Sequence, residues 1–179
     1  MSYLKFFKIP ILIIFLSIIH GSLFINDTKS EFIYSDSAKY TQDIIGFALN
    51  KKFTEVKSQN DLPYLYSYLA SYSLINLKIN DLNIDTCNIN NSISCKKIMK
   101  RIQYFNLLCF VFLTIFTYIL GSKVGNRSIG AISSFFISIN TFFSSSISHS
   151  NPEILTALVF SILIYLIYLN FFYFEKKIN

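Results

Sequence analysis

Four long apolar runs constrain what this chain can fold into more than any other feature of its sequence. They cover residues 6–25, 102–120, 129–147 and 154–174. A helix rises about 1.5 Å per residue, so each run is long enough to cross the roughly 30 Å hydrocarbon core of a bilayer. Backbone groups in lipid must bond within their own segment, which favours helices. The sequence therefore predicts an all-α, polytopic membrane protein with four transmembrane helices.

The charge content agrees with a membrane protein. Charged residues make up 15% of the 179 residues, against about 25% in soluble domains. The net charge of +6 could suggest nucleic acid as a partner. Most basic residues, however, lie at the ends of apolar runs, where lysine and arginine meet lipid headgroups. We therefore expect membrane lipids, and no nucleic acid, as partners.

The order of the runs predicts a topology for residues 1–179 as a single membrane domain. The last three runs are joined by short links, which favour antiparallel hairpins. No cleavage site follows the first run, so we interpret it as a retained anchor. Basic residues are divided almost evenly between the two sides of the membrane, so their count does not orient the chain. We place the loop 26–101 outside because it is long. We expect a multi-pass protein of the plasma membrane or a bacterial inner membrane, with cytoplasmic termini.

Two amphipathic helices are predicted within the external loop, near residues 36–51 and 62–77. The first has an apolar stripe at helical spacing, formed by Thr41, Ile44, Ile45, Ala48 and Leu49. The second follows Asp61 and Pro63, a usual helix start, and carries tyrosines at positions 64, 68 and 72. Alternating tyrosines leave a strand as its alternative. Tyrosine favours the interface between membrane and water, so we expect both helices to lie on the outer surface.

The three cysteines give little information on function. Cys109 lies inside an apolar run and is expected to be a core residue. Cys87 and Cys95 lie in a polar stretch without histidine or a second cysteine pair at zinc spacing. A disulfide between them and two unrelated thiols both remain open.

Several short motifs follow one another along the chain. They begin with "DSAKYT" after the first run and continue with "LPYLYSYLASYSL", "KRIQYFNLL", "YILGSKVGNRSIG" and "SNPEILTALVF". In their order and spacing they resemble the N-terminal part of the GT-C superfamily of glycosyltransferases, in which "DEAxYA" stands at the place of "DSAKYT". The nearest types are the protein mannosyltransferases and the aminoarabinose transferases. Two departures stand out. Ser37 replaces the family's second acid, and the chain carries fewer spans than family members do.

The resemblance implies transfer of a sugar from a polyprenyl-phosphate donor to an acceptor. A carboxylate would accept the acceptor's proton, and a cation would stabilise the leaving phosphate. Asp36 matches the first role, and Arg101 with Lys100 matches the second. Asp43, Glu153 and Tyr64 are candidates to assist. A dipole role for Asp36 and membrane anchoring of Arg101 are the structural alternatives.

Cofactors and partners follow from the same resemblance. We expect a lipid-linked sugar donor, and a second chain that supplies the missing transmembrane helices if this chain is incomplete at its C-terminus. No metal ligands are assigned, and a divalent metal stays open as a cofactor. The alternative function is a non-enzymatic four-span membrane scaffold or assembly partner, in which Asp36 would be replaceable.

Overall fold

The structure is a computed structural model whose backbone is described for residues 3–25, 35–50, 64–77 and 93–178, and whose side chains are described for residues 10–25, 39–49, 65–77 and 96–171. All regular structure in these residues is helical, as predicted. The helices are α1 (Tyr3–Leu23), α2 (Ser35–Asn50), α3 (Tyr64–Ser71), α4 (Ile93–Val124), α5 (Arg127–Ser138), α6 (Thr141–Ile147) and α7 (Glu153–Ile178). A 3-10 turn, Tyr72–Leu74, continues α3. Cys87 and the side chain of Cys95 lie outside the described residues.

Two helices are long and apolar enough to cross a membrane. They are the Lys96–Val124 part of α4 and the Glu153–Phe171 part of α7. The third apolar run forms two helices, α5 and α6, which meet at a bend of 52° and qualify as a span only as a pair. The apolar part of α1 among the described residues, Pro10–Leu23, is shorter than a span. The described chain therefore shows two or three candidate spans, fewer than the four that the sequence predicts.

Two glycines allow α4 and α5 to pack closely as a hairpin. A Cβ atom built on Gly121 would lie 2.9 Å from the Cα atom of Gly130. One built on Gly130 would lie 2.6 Å from the carbonyl oxygen of Tyr118. Ser134 and Ser138 follow Gly130 at four-residue spacing, and all three are buried. Small residues at this spacing let helix backbones approach each other, as in membrane helix pairs generally.

Asn140 produces the break between α5 and α6. Its side-chain oxygen accepts hydrogen bonds from the backbone N–H groups of Phe142 and Phe143, at 3.0 and 3.2 Å, and so caps α6. In an unbroken helix, the N–H of Phe142 would bond to the carbonyl of Ser138. That carbonyl is instead 3.1 Å from Nδ1 of His20 on α1. Because a carbonyl only accepts, Nδ1 must carry the proton.

His20 contacts both sides of the break. Its Nδ1 is also 2.9 Å from the hydroxyl of Ser144 on α6, which in turn donates to the carbonyl of Asn140. The ring packs edge-to-face against Phe24, with ring centroids 5.6 Å apart. The His20 ring thus supplies the Ser138 carbonyl with a partner in place of a helix hydrogen bond and connects α1 to α5 and α6.

Replacing His20 by phenylalanine is expected to destabilise this junction by about 1–2 kcal/mol, because the Ser138 carbonyl loses its donor in an apolar setting. Thermal unfolding in detergent measures the effect. The matched control is Ser145→Ala, since that hydroxyl bonds only within its own helix, to the Phe142 carbonyl. Equal stability of the two variants would contradict a stabilising contact between His20 and the break.

Two polar side chains of α4 donate hydrogen bonds to the backbone carbonyls that directly follow α6. The side-chain amide of Asn106 donates to the carbonyl of His149 at 2.7 Å, and that of Gln103 donates to the carbonyl of Ser148 at 3.3 Å. The last carbonyls of a helix have no partner within the helix. These two side chains, three residues apart on one face of α4, supply donors there. Both are buried.

Helices α2 and α3 lie over the same end of the bundle. The Thr41 hydroxyl of α2 is 2.9 Å from that of Ser150, just before α7, and donates to the sulfur of Met99 on α4 at 3.6 Å. Of the predicted apolar stripe, Ile44 and Ile45 are fully buried and Leu49 is exposed. Both helices therefore occur where the sequence places them, and the stripe of α2 packs largely against protein.

Candidate functional site

An apolar groove runs along the outer face of α4. Its volume is about 680 Å³, and it lies between the α3 segment and the start of α7. Its lining residues are Leu69, Tyr72, Ser73, Arg101, Tyr104, Phe105, Leu108, Cys109, Phe112 and Leu155. Tyr104, Leu108 and Phe112 are about half exposed, so the groove opens outward. Arg101 is the charged member of this set and lies at the end where α4 begins.

Four exposed cations occupy the first turns of α4, namely Lys96, Lys97, Lys100 and Arg101. Residues four apart share a helix face, so Lys97 lies one turn before Arg101 on the groove side. Lys100 is turned by about 100° from Arg101 around the helix, and it does not line the groove. Lys97, which the sequence does not single out, therefore adds to the positive charge at this end of the groove.

Tyr72, which lines the same groove as Arg101, forms a pair with Tyr68 of α3. The hydroxyls of Tyr68 and Tyr72 are 2.8 Å apart, and their rings meet edge-to-face with centroids at 5.4 Å. Tyr68 also packs edge-to-face against Phe47 of α2 at 5.8 Å. The hydrogen bond to Tyr68 raises the pKa of Tyr72.

A buried polar network lies behind the groove wall. The hydroxyl of Tyr66 donates to the side-chain oxygen of Asn106 at 3.1 Å. Burial raises the pKa of Tyr66 far above its ordinary value, so this donor keeps its proton. The ring of Tyr66 packs against Phe105, a groove residue, and against Tyr40 of α2. The network therefore positions the inner wall of the groove relative to α2.

Glu153 begins α7 near this network. Its Oε1 accepts from the side-chain amide of Asn151 at 3.3 Å, whereas the buried Oε2 has no hydrogen-bond partner among the described residues. The carboxylate is close enough to Tyr66 to contribute to the rise in the pKa of that tyrosine. Glu153 thus lies on the inner side of the groove wall and combines a helix-start position with a free acceptor atom.

The candidate residues predicted from sequence are brought together only in part. Arg101 is in the groove, and Asp43 is buried at 7% exposure within α2. Asp36 belongs to the first turn of α2 and Tyr64 begins α3, but their side chains lie outside the described residues. Within the part of the chain that the structure describes, no three histidine, cysteine or acidic side chains are grouped as metal ligands.

Several residues of this region give no sequence signal on their own. Tyr72 and Cys109 join Arg101 only because α3 packs along α4. Gln103 and Asn106 do stand out, as polar residues at the start of an apolar run, and intramembrane polar residues commonly make specific contacts. That signal would have located the network behind the groove.

Comparisons with protein-family models, with curated proteins and with solved structures found no significant match to this chain.

Proposed function

We propose that the groove binds a lipid phosphate, with the hydrocarbon chain along α4 and the phosphate at Arg101. The observation that supports this best is the position of a guanidinium at the α4 N-terminal end of a mainly apolar groove on a candidate membrane span. Arginine binds phosphate through parallel charge-assisted hydrogen bonds. Arg101 is exposed, and none of the described acidic side chains pairs with it.

The length of the groove fits one leaflet of a bilayer. Arg101 and Phe112 are eleven residues apart, which corresponds to about 16 Å along a helix. Half of the hydrocarbon core is about 15 Å. A lipid whose phosphate meets Arg101 would therefore place its first methylenes or isoprene units beside Tyr104 and Leu108, and later ones beside Phe112.

We further propose that this lipid is a polyprenyl-phosphate-linked sugar and that the chain takes part in glycosyl transfer. Arg101, with Lys100 nearby on α4, would stabilise the charge that develops on the leaving phosphate. Asp36 would accept the proton of the attacking hydroxyl. Asp43, Glu153 and Tyr64 would assist. This assignment is supported by the order of the sequence motifs together with the groove at Arg101.

The packing of α2 sets a geometric requirement for this chemistry. Met99, which contacts Thr41 of α2, and Arg101 lie about 200° apart around α4. A phosphate at Arg101 is therefore on the opposite side of α4 from the first half of α2. For Asp36 to act, the sugar must extend over the start of α4 toward α2, at the end of the bundle where α2 and α3 lie.

The proposed topology keeps four spans, with α1 as the first and α5 with α6 as the third. Gly21, near the C-terminal end of α1, lies against Leu107 and Phe110 in the middle of α4. Successive spans would then alternate in direction, with α2 and α3 on the outer surface and both termini cytoplasmic. A second chain would supply the helices that complete the cavity.

A non-enzymatic assembly role is the second candidate, and one observation favours it. No described residue of α7 from position 159 to 171 is buried. This segment presents apolar side chains on all sides, which fits either lipid or a partner helix. Under this hypothesis the chain co-purifies with a membrane partner, and substitutions in the groove change neither lipid content nor assembly.

Replacing Arg101 by glutamine tests the lipid-phosphate site. We expect the affinity for polyprenyl phosphate in neutral-lipid nanodiscs to fall about 10- to 100-fold, because a hydrogen bond to a charged group contributes roughly 1.5–3 kcal/mol. A fluorescent polyprenyl phosphate, titrated into nanodiscs that contain the purified chain, gives the dissociation constant.

The matched control is Arg127→Gln, which removes the same charge from the exposed start of α5. That variant should bind the lipid as the unmodified chain does. If the two variants lose affinity equally, general surface charge rather than the groove explains binding, and the proposed site is wrong.

A further inference from the structure

Three residues that carry hydroxyl groups, Tyr72, Ser73 and Tyr104, line the same groove as Arg101. Tyr104 lies three residues after Arg101 on α4, so the two side chains are neighbours on the helix surface. Leu108, Phe112 and their neighbours, farther along α4, are apolar or weakly polar. A bare phosphate needs only the cation, whereas a few polar groups placed beside an apolar cavity usually fix the orientation of a hydroxylated ligand.

Tyr72 is exposed and yet held in place. It is 54% exposed, although its hydroxyl is bonded to Tyr68 and its ring rests edge-to-face on the Tyr68 ring. Tyr68 is held in turn by Phe47, which is 2% exposed. Aromatic contacts of this geometry add about 0.5–1.5 kcal/mol each. The series Phe47, Tyr68, Tyr72 thus connects the core to the rim of the groove and orients an exposed ring before any ligand arrives.

We propose that Tyr72, with Ser73 and Tyr104, recognises a sugar attached to the lipid phosphate at Arg101. The groove would then be selective for glycosylated lipid phosphates over unglycosylated ones. The inference rests on the proposed function and adds its specificity-determining residues. An oriented aromatic ring offers a flat surface to the C–H groups of a sugar, and a site with hydroxyl groups discriminates against a ligand that lacks matching hydroxyls.

Membrane anchoring is the other role that an exposed tyrosine could have. An anchoring ring needs only a position at the interface, with its hydroxyl in water. The hydroxyl of Tyr72 is instead bonded to a second tyrosine, and the residue lines the same groove as Arg101. These two features fit recognition of a ligand. Anchoring would support the binding of both lipids alike, whereas recognition of the sugar would favour the glycosylated lipid only.

The test compares two probes, polyprenyl phosphate and polyprenyl-phosphoglucose, in neutral-lipid nanodiscs that contain the full chain. We expect the unmodified chain to bind the glucosylated lipid about tenfold more tightly. Tyr72→Leu keeps an apolar side chain at this position and should abolish this preference, because the glucosylated lipid loses more affinity than polyprenyl phosphate does. Tyr72→Phe keeps the ring but loses the hydrogen bond to Tyr68, and should reduce the preference in part.

Tyr168→Leu is the control, because Tyr168 bonds the carbonyl of Lys123 at the opposite end of α4. It should keep the full preference. Equal affinity of the unmodified chain for both lipids would overturn the specificity inference, as would a Tyr72→Leu variant that loses affinity for both lipids alike, which is the result of anchoring. Unchanged binding of both lipids by Arg101→Gln would instead overturn the proposed function, and the inference with it.

Discussion

The substitution Gly130→Val is expected to force α4 and α5 apart and to lower the free energy of unfolding by about 1–3 kcal/mol, the range for overpacking a tight contact. A Cβ at Gly130 would meet the backbone, with the Tyr118 carbonyl at 2.6 Å and the Ser122 nitrogen at 2.9 Å. Backbone atoms of a helix cannot rotate away as the end of a side chain can, so the helices themselves must separate. Thermal unfolding in detergent, followed by circular dichroism, measures the loss.

A change at Gly125 provides the comparison. A Cβ there would meet only the Ile129 side chain, which can change rotamer. Gly125→Ala should therefore be much less destabilising than Gly130→Ala, the smallest change that tests the contact. Equal stability of these two alanine variants would show that the close approach of α4 and α5 is not a stabilising feature of the fold.

The substitution Asp36→Asn is expected to reduce the proposed sugar transfer by about 10²–10⁴-fold, the contribution of a positioned general base. Asparagine has nearly the same shape as aspartate but cannot accept a proton at neutral pH, so insertion and folding should be retained. The measurement is consumption of a radiolabelled polyprenyl-phosphate sugar by membranes of cells that express the chain, normalised to its amount.

The lipid-binding assay separates catalysis from binding in this variant. Asp36→Asn should bind polyprenyl phosphate as tightly as the unmodified chain, whereas Arg101→Gln should lose binding and transfer together. Full transfer activity in Asp36→Asn would remove the catalytic role of this carboxylate. It would leave the lipid site unaffected.

The helical class and the positions of most helices could be predicted because hydrophobic length and periodicity are local properties. The run 154–174 lies within α7, and α2 formed within one residue of its predicted range. The second loop helix is shorter than the predicted 62–77, since α3 covers eight residues and a 3-10 turn ends at Leu74. The buried face of α2 was harder to predict, since Phe47 is buried and Leu49 exposed. Which apolar residues face inward depends on where α3 and α4 pack, and no local pattern contains that information.

The third run shows why counting apolar residues overestimates regular spans. It contains no charged residue, but Asn140 can cap a new helix and His20 can bond the carbonyl left free. The break therefore depends on a residue more than one hundred positions away in the chain. Such a partner is found only when α1 is packed beside α5 and α6.

The site was predictable to a similar extent. Arg101 was selected by its place before an apolar run, and the structure places it in the groove. Lys100 was selected for the same reason, but helical geometry turns it away from Arg101 and brings Lys97 to that face instead. Tyr72 was expected only as an interface residue. Its position beside Arg101 results from the packing of α3 along α4.

The central claim, that a lipid phosphate lies in the groove with its head at Arg101, is tested most directly by photocrosslinking. A polyprenyl phosphate with a photoreactive group on its hydrocarbon chain is bound to the purified chain, irradiated and mapped by peptide mass spectrometry. The account predicts labelling of the segment from Tyr104 to Phe112, reduced by excess unlabelled polyprenyl phosphate and by Arg101→Gln. Labelling spread over the exposed apolar surface of α7, and insensitive to both, would contradict it.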